Sequence, residues 1–163
     1  MYERYASSLL AVCIRYMGSR DEAEDTLHDV FIKVFDKIGG MRYRSDAELA
    51  AWIRKVCVNH CLDALRKRRL RTFPLQEADD IPDDNELDAE KVRGIPQALL
   101  LKMVSELPEG YRTVFNLHCI EEMPHKDIGR LLGIAEKSSS SQYTRARAML
   151  AKQIKDYLNE KED

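Results

Sequence analysis

Three groups of polar side chains stand out for what their types and spacing would let them do. Wound at 100° per residue from Glu136, the chain places Lys137, Ser141, Thr144 and Arg145 on one face, flanked by Ser138, Ser140 and Gln142. Short hydroxyls, an amide and long cations are the groups that bond base edges and phosphates in a major groove. Gly39, Gly40, Met41, Arg42, Tyr43 and Arg44 form a second group, a loop alternating cations with an aromatic. An unpaired base could stack on Tyr43 while Arg42 and Arg44 hold its phosphates. Beside it, the outward residues of the next helix read as Lys55, Val58, Asn59, Leu62 and Arg66, with Asn59 able to bond a base edge. Arg66, Lys67, Arg68, Arg69 and Arg71 extend that face as phosphate-binding charge. The third group aligns Asp25, Asp29 and Asp36 with Ile32, an acidic surface with an apolar anchor suited to a basic partner helix. Taken singly, the loop could equally be a mere surface loop, and a solvated polar face is the bland alternative for each of the two helix faces.

Other chemistry lacks its parts. The histidines His28, His60, His118 and His125 stand apart, with no nucleophile or acid pair grouped around them, so a catalytic constellation is missing. Cys13, Cys57, Cys61 and Cys119 are scattered, mostly on apolar helical faces, which favours buried thiols over a disulfide framework. Cys57, His60 and Cys61 have ligand-like spacing, but no second ligand cluster accompanies them, and core packing is the reading; no metal or cofactor is expected.

The elements that must position these groups read as all α. Apolar residues recur at i, i+3, i+4 and i+7, glycines and prolines are few (7 and 5), and no alternating run suggests a strand. A first helix over Tyr2 to Met17 carries Tyr2, Tyr5, Leu9, Cys13 and Tyr16 on one face and stops at Gly18. Capping boxes at Ser19 to Glu22 and Ser45 to Glu48 open two more. The core stripe of the second is Ala23, Leu27, Val30, Phe31, Val34, Phe35 and Ile38, ended by Gly39 and Gly40; the inner face of the third is Leu49, Ile53, Val56, Cys57, His60 and Ala64. A further module begins near Ile95 with a helix carrying Leu99, Leu100, Met103 and Leu107, and Pro108 stands as an N1 proline for the next. Pro124 opens a short helix, Gly133 closes it, and the serine-rich helix runs from about Glu136 to Tyr157. Helix, glycine-containing turn, helix is the helix-turn-helix pattern.

A formal net charge of −2 argues against a nucleic-acid binder, and its distribution reverses the argument. Eight acids and no base lie between Gln76 and Glu90, so the rest of the chain carries about +6. Pro74, Pro82 and this acidic run make residues 72–94 a flexible linker between domains at 1–71 and 95–163. As a coil it spans roughly 25 to 30 Å, and extended at most about 80 Å, reaching DNA segments up to about 20 base pairs apart. No segment has the apolar length of a membrane span and the start lacks a signal region, so a cytoplasmic protein without membrane insertion is expected.

Two segments carry a resemblance. Glu24-Asp25-Thr26-Leu27-His28-Asp29-Val30-Phe31 is similar to the E-D-x-x-Q-E-x-F pattern of region 2 in the sigma-70 family. Ala51-Trp52-Ile53 through Asn59, Asp63 and Arg66 resembles its A-W-L-x-x-I-A-x-N-x-x-x-D-x-x-R, as in the extracytoplasmic-function group. Leu107-Pro108-Glu109-Gly110-Tyr111-Arg112, then Leu131-Leu132-Gly133-Ile134 and Arg145-Ala146-Arg147, look like region 4. The resemblance implies two helical domains of a sigma factor, a non-enzymatic polymerase subunit with no small-molecule substrate. Asp25, His28, Asp29, Ile32 and Asp36 would dock on the coiled coil of the largest polymerase subunit, and the flap region of the second-largest would be a further contact. Arg42, Tyr43, Arg44, Lys55, Asn59 and Arg66 would take the −10 element of promoter DNA, and Lys137, Ser138, Ser140, Ser141, Gln142, Thr144 and Arg145 the −35 element. An anti-sigma factor is an implied partner. His28 stands where the family has glutamine, and Ser138 to Gln142 replace a T-V-K-S-R pattern, two cations fewer. A helix-turn-helix repressor is the alternative; it needs no first module and dimerises on palindromes.

Overall fold

Serine oxygens start two of the helices in a computed structural model that describes residues 2–69 and 89–162. After α1 (Tyr2–Met17), Gly18 turns at φ 84° and its N–H closes on Ile14 O. Ser19 Oγ then accepts from Glu22 N at 3.2 Å and α2 (Arg20–Ile38) begins. The reciprocal half of that capping box is absent, because the Glu22 carboxylate reaches Arg68 Nη2 at 2.6 Å instead, tying the start of α2 to the end of α3 (Asp46–Arg69). At α3, Ser45 Oγ accepts from Glu48 N, and Glu48 Oε2 accepts from Arg44 N, one residue earlier than the box expects.

The chain divides into two compact units, Met1–Pro74 and Leu75–Asp163. In the first, α1, α2 and α3 pack pairwise around Leu9, Cys13 and Tyr16, Leu27, Val30 and Val34, and Ile53, Cys57, Cys61 and Leu65. Two readings of the sequence are corrected here. Phe35, placed in the core stripe, is 52% exposed, since it stands about 100° round the helix from the fully buried Val34, at the edge of the stripe, and Ile38, in the last turn, is half-buried. Val58 and Leu62, placed on the outward face of α3, are buried: a helix between two others hides a sector wider than one stripe, and these residues adjoin Cys57 and Cys61 on it.

The second unit is built from α4 (Ala89–Arg93), α5 (Gln97–Ser105), α6 (Glu109–Phe115), α7 (His125–Leu132) and α8 (Glu136–Glu162), with a π-helical turn at Asn116–Ile120. The short α4 falls inside the segment read as linker. Val92 and Ile95, three apart, give that end of the acidic run enough apolar surface to join Met103, Leu107, Tyr111, Ala146 and Leu150 in the core. The rest of the linker reading lies outside the described residues. Pro108 sits at an N-cap rather than the N1 position, and Pro124, which opens α7, is an N-cap as well, each with extended ψ. Arg112, buried, donates through Nη1 to Leu107 O at 3.0 Å and Ser105 O at 3.4 Å, placing a cation on the carbonyls that end α5.

Two features hold α7 against α8. Gly133 adopts the left-handed conformation, φ 71°, that ends α7, and Ile134 N returns to Gly129 O. At Gly129 a Cβ would stand 2.7 Å from Ile134 O, so the turn closes only over a hydrogen atom. Around it, the His118 and His125 rings stack at 3.9 Å, Tyr143 meets His118 edge-on at 4.5 Å, and His125 Nδ1 lies 2.8 Å from the buried Ser139 Oγ.

Gly129→Ala should therefore destabilise the second unit by about 1 to 3 kcal/mol, the cost of overpacking against backbone. Equilibrium urea unfolding of the full chain reads it, and an unchanged midpoint contradicts the close approach. A second expectation follows from the ring stack. Burial, and then the neighbouring His118, hold the His125 pKa below its usual 6.5. The unfolded chain thus binds the proton more readily, so this part of the stability is complete above pH 6.5 and is lost as pH falls toward the folded-state value. Amide exchange in α7 and α8 should accelerate over that window in the parent beyond the intrinsic pH effect, and less so in His125→Gln; equal pH dependence in both would refute it.

Candidate nucleic-acid interface

The loop between α2 and α3 presents its cations and its aromatic to solvent: Arg42 and Arg44 are exposed and Tyr43 is 49% exposed. Its two glycines supply room rather than an unusual backbone, since Gly39 sits at φ −64° with nothing near its Cβ position. The reciprocal bonds among Arg44, Ser45 and Glu48 pin the far end of the loop to the first turn of α3. On α3 itself Lys55, Asn59 and Arg66 are exposed, and spacings of four and seven residues put them on one face. Asp63 shares that face and lies 3.8 Å from Arg66 Nη2, so part of the cationic stripe is internally neutralised.

The acidic surface of α2 is open as well. Asp25, His28, Asp29 and Asp36 are exposed and Ile32 is 50% exposed. Phe35 joins them, a residue the stripe reading had assigned to the core. The signal was available: positions 25, 28, 29, 32, 35 and 36 follow the i, i+3, i+4, i+7 pattern as faithfully as the buried set does. Phe35 packs its ring 6.0 Å from that of Phe31, which anchors it from the core side. Asp29 Oδ2 also approaches His60 Nε2 at 4.0 Å, linking α2 to α3; burial lowers the His60 pKa, chiefly, with Lys33 adding to it.

On α8 the named residues divide. Lys137, Ser140, Ser141 and Thr144 are exposed, and Ser138, Gln142 and Arg145 are half-buried. Thr144 Oγ1 donates to Ser140 O within its own helix at 3.1 Å, leaving its oxygen as an acceptor toward solvent. Gln142 Oε1 is buried without a hydrogen-bond partner among the described residues. That places its carbonyl end inward, unlike the outward amide expected of it. Tyr143, Ala146 and Leu150 pack inward beside Ser139, and Arg147 lies 5.9 Å over the Tyr143 ring, a cation that the face reading did not include.

Among the described residues no helix is long and apolar enough to cross a membrane. Within the first unit Cys13 joins Cys57 and Cys61, a meeting the sequence reading had not found because 44 residues separate Cys13 from Cys57.

Comparison with known proteins gives this arrangement its context. The family model for sigma-70 region 2 matches residues 1–71 and that for sigma-70 region 4 matches residues 97–150. The chain is 31% identical over 160 residues to the ECF RNA polymerase sigma factor SigM of Mycobacterium tuberculosis (strain ATCC 25618 / H37Rv), covering 98% of this chain and 77% of that protein. It is 26% identical over 167 residues to the ECF RNA polymerase sigma factor SigW of Bacillus subtilis (strain 168), covering 93% and 86%. A solved structure, the sigma factor RpoE in complex with the anti-sigma factor NepR from Bartonella quintana, is 22% identical and covers 94% of each chain at a TM-score of 0.49. With both regions matched in order and a relative 31% identical over 98% of this chain, the chain belongs to the sigma-70 family as an RNA polymerase sigma factor of the extracytoplasmic-function group.

Proposed function

We propose that the first unit docks on core polymerase through α2 and captures the −10 element with α3 and its preceding loop, while α8 of the second unit reads the −35 element. The observation that carries the reading is on α2, where Ile32 and Phe35 stand half exposed among Asp25, Asp29 and Asp36. Two large apolar side chains kept in water beside three acids form an interface centre with a charged rim. The fitting partner is a basic amphipathic helix, which the coiled coil of the largest polymerase subunit supplies in the sigma family. The second-largest subunit's flap would meet the second unit.

For strand capture, exposed Tyr43 offers a stacking face and Asn59 a donor and an acceptor for a base edge, with Arg42, Arg44 and Lys55 as phosphate contacts. On α8, Ser140, Ser141 and Thr144 are left to read bases with Lys137 and Arg145 as the long donors. Arg147, stacked on Tyr143, adds a third cation nearby. The protein would act in the cytoplasm as a non-enzymatic subunit without cofactor or small-molecule substrate, and an anti-sigma factor would restrain it. A stand-alone repressor gains nothing from the α2 surface, which has no DNA-binding character.

Two measurements test this. Ile32→Asp should weaken binding to core polymerase about tenfold or more, as loss of an apolar anchor does, with an unchanged circular dichroism spectrum because the side chain is half exposed. Unaltered affinity in a folded variant removes α2 as the dock. Asn59→Ala should slow open-complex formation on duplex promoters far more than on promoters with a pre-melted −10 region. An equal loss on both templates, or none on either, contradicts strand capture by this residue.

A further inference from the structure

Three cysteines meet at the centre of the first unit. Cys13 Sγ of α1 lies 3.5 Å from Cys57 Sγ and 3.9 Å from Cys61 Sγ of α3, and the three sulfurs all fall within 4.8 Å of one another. All three side chains are completely buried. Cys57 and Cys61 are one helical turn apart and so point the same way, and Cys13 closes the triangle from the facing helix.

These separations are those of ligands around one ion. Metal–sulfur bonds of about 2.3 Å put sulfurs about 3.8 Å apart in tetrahedral and about 4.0 Å apart in planar trigonal coordination, and closer together around trivalent arsenic, whose lone pair makes its three bonds pyramidal. A disulfide needs about 2.05 Å, so even the nearest pair would have to close by about 1.5 Å across two packed helices. A buried cysteine behaves as a small hydrophobe, and alanine or valine would fill any one of these positions as well. What sets the cluster apart is that three soft donors converge on one point.

We propose that Cys13, Cys57 and Cys61 form a three-sulfur site for a thiophilic ion that is content with three ligands, such as trivalent arsenic or monovalent copper. Zinc fits poorly, because it takes four ligands and the group holds three, with no solvent at the sulfurs to supply a fourth. Charge orders the other two. Copper held by three thiolates would leave two negative charges in an apolar core, which is costly. Arsenite condenses with three neutral thiols: three As–O bonds give way to three As–S bonds, the thiol protons leave with the hydroxides as three waters, and the product is uncharged. No oxidation state changes. Arsenite is therefore the better match. Because no sulfur is accessible, the ion enters only when α1 parts from α3; loading is slow on the folded chain and fast during refolding, and the product staples the two helices together.

The test refolds the reduced full chain separately with arsenite, monovalent copper and zinc, and reads native mass, thermal midpoint and thiol alkylation after unfolding. Expected are one arsenic per chain with loss of three waters, a raised midpoint, and protection of three of the four cysteines. Cys119→Ser should bind as the parent does, since that exposed thiol is outside the cluster. Cys13→Ala and Cys61→Ala should each lose the one-to-one product; if one fails to fold, the other and the parent's alkylation pattern still decide. Copper preferred over arsenite supports the site and overturns the charge ranking. No uptake of either ion, uptake undiminished in both alanine variants, or oxidation to a disulfide as the cluster's sole reaction would overturn the proposal.

Discussion

The first unit depends on α3 being covered by two helices at once. Its inner sector takes Ile53, Cys57, Val58, Cys61, Leu62 and Leu65 out of water against α1 and α2, which fixes the helix in rotation about its axis. Rotation is what aims Lys55, Asn59 and Arg66 outward on one face. A slip of one residue, about 100°, would put Asp63 and Arg66 in the buried places of Leu62 and Leu65, and taking those charges out of water costs far more than any contact they could make. The same packing decides the other surface: with one side of α2 occupied by α3 and α1, the stripe from Asp25 to Asp36 has nowhere to point but to solvent. The Glu22 to Arg68 bond, between half-exposed partners, adds registry more than stability.

The second unit solves a different problem, how to bring a short helix close to a long one without a linker between them. A hydrogen in place of a side chain at Gly129, the left-handed Gly133 and the bond from Ile134 N to Gly129 O together compress the turn. Its compactness sets how far α8 projects. The ring stack of His118, His125 and Tyr143 fills the space beneath, and the buried Ser139 gives His125 a hydrogen-bond partner. Of the serines from Ser138 to Ser141, Ser139 is therefore spent on the interior, the one member of the run that the helical step does not place on the outer face.

How much of this was legible depended on the distance over which each cause acts. Helix starts and stops follow from local chemistry: the first helix was expected over Tyr2 to Met17 and occurs there, and Ser19, Ser45, Gly18 and Gly133 act where their types predict. Periodicity identified buried stripes but misjudged their width. Val58 and Leu62 look outward on a wheel with one buried face, whereas α3 has two neighbours; Phe35 looks inward only if the stripe is drawn wide enough to take in its edge. What no pattern could reveal is contact between distant segments. Cys13 meeting Cys57, the guanidinium of Arg112 folded back onto the end of α5, and Gln142 with its carbonyl turned inward all depend on tertiary packing, to which spacing along the chain is blind.

The polar surfaces are each modest, and that bears on how they work together. The α3 face spends part of one arginine on Asp63, and α8 offers Lys137 and Arg145 with short hydroxyls where the family pattern carries two more cations. Phosphate contacts supply most of the affinity for DNA, so a face short of cations holds duplex weakly whatever it reads. Covalent connection changes the arithmetic. With both units bound to DNA as proposed, the second to engage would search its target at an effective concentration set by the chain between them, and two weak contacts would combine without any new bond. The acids between Gln76 and Glu90 bring the formal charge of the chain from about +6 to −2, and in the proposed arrangement they would repel a phosphate backbone wherever neither unit is seated.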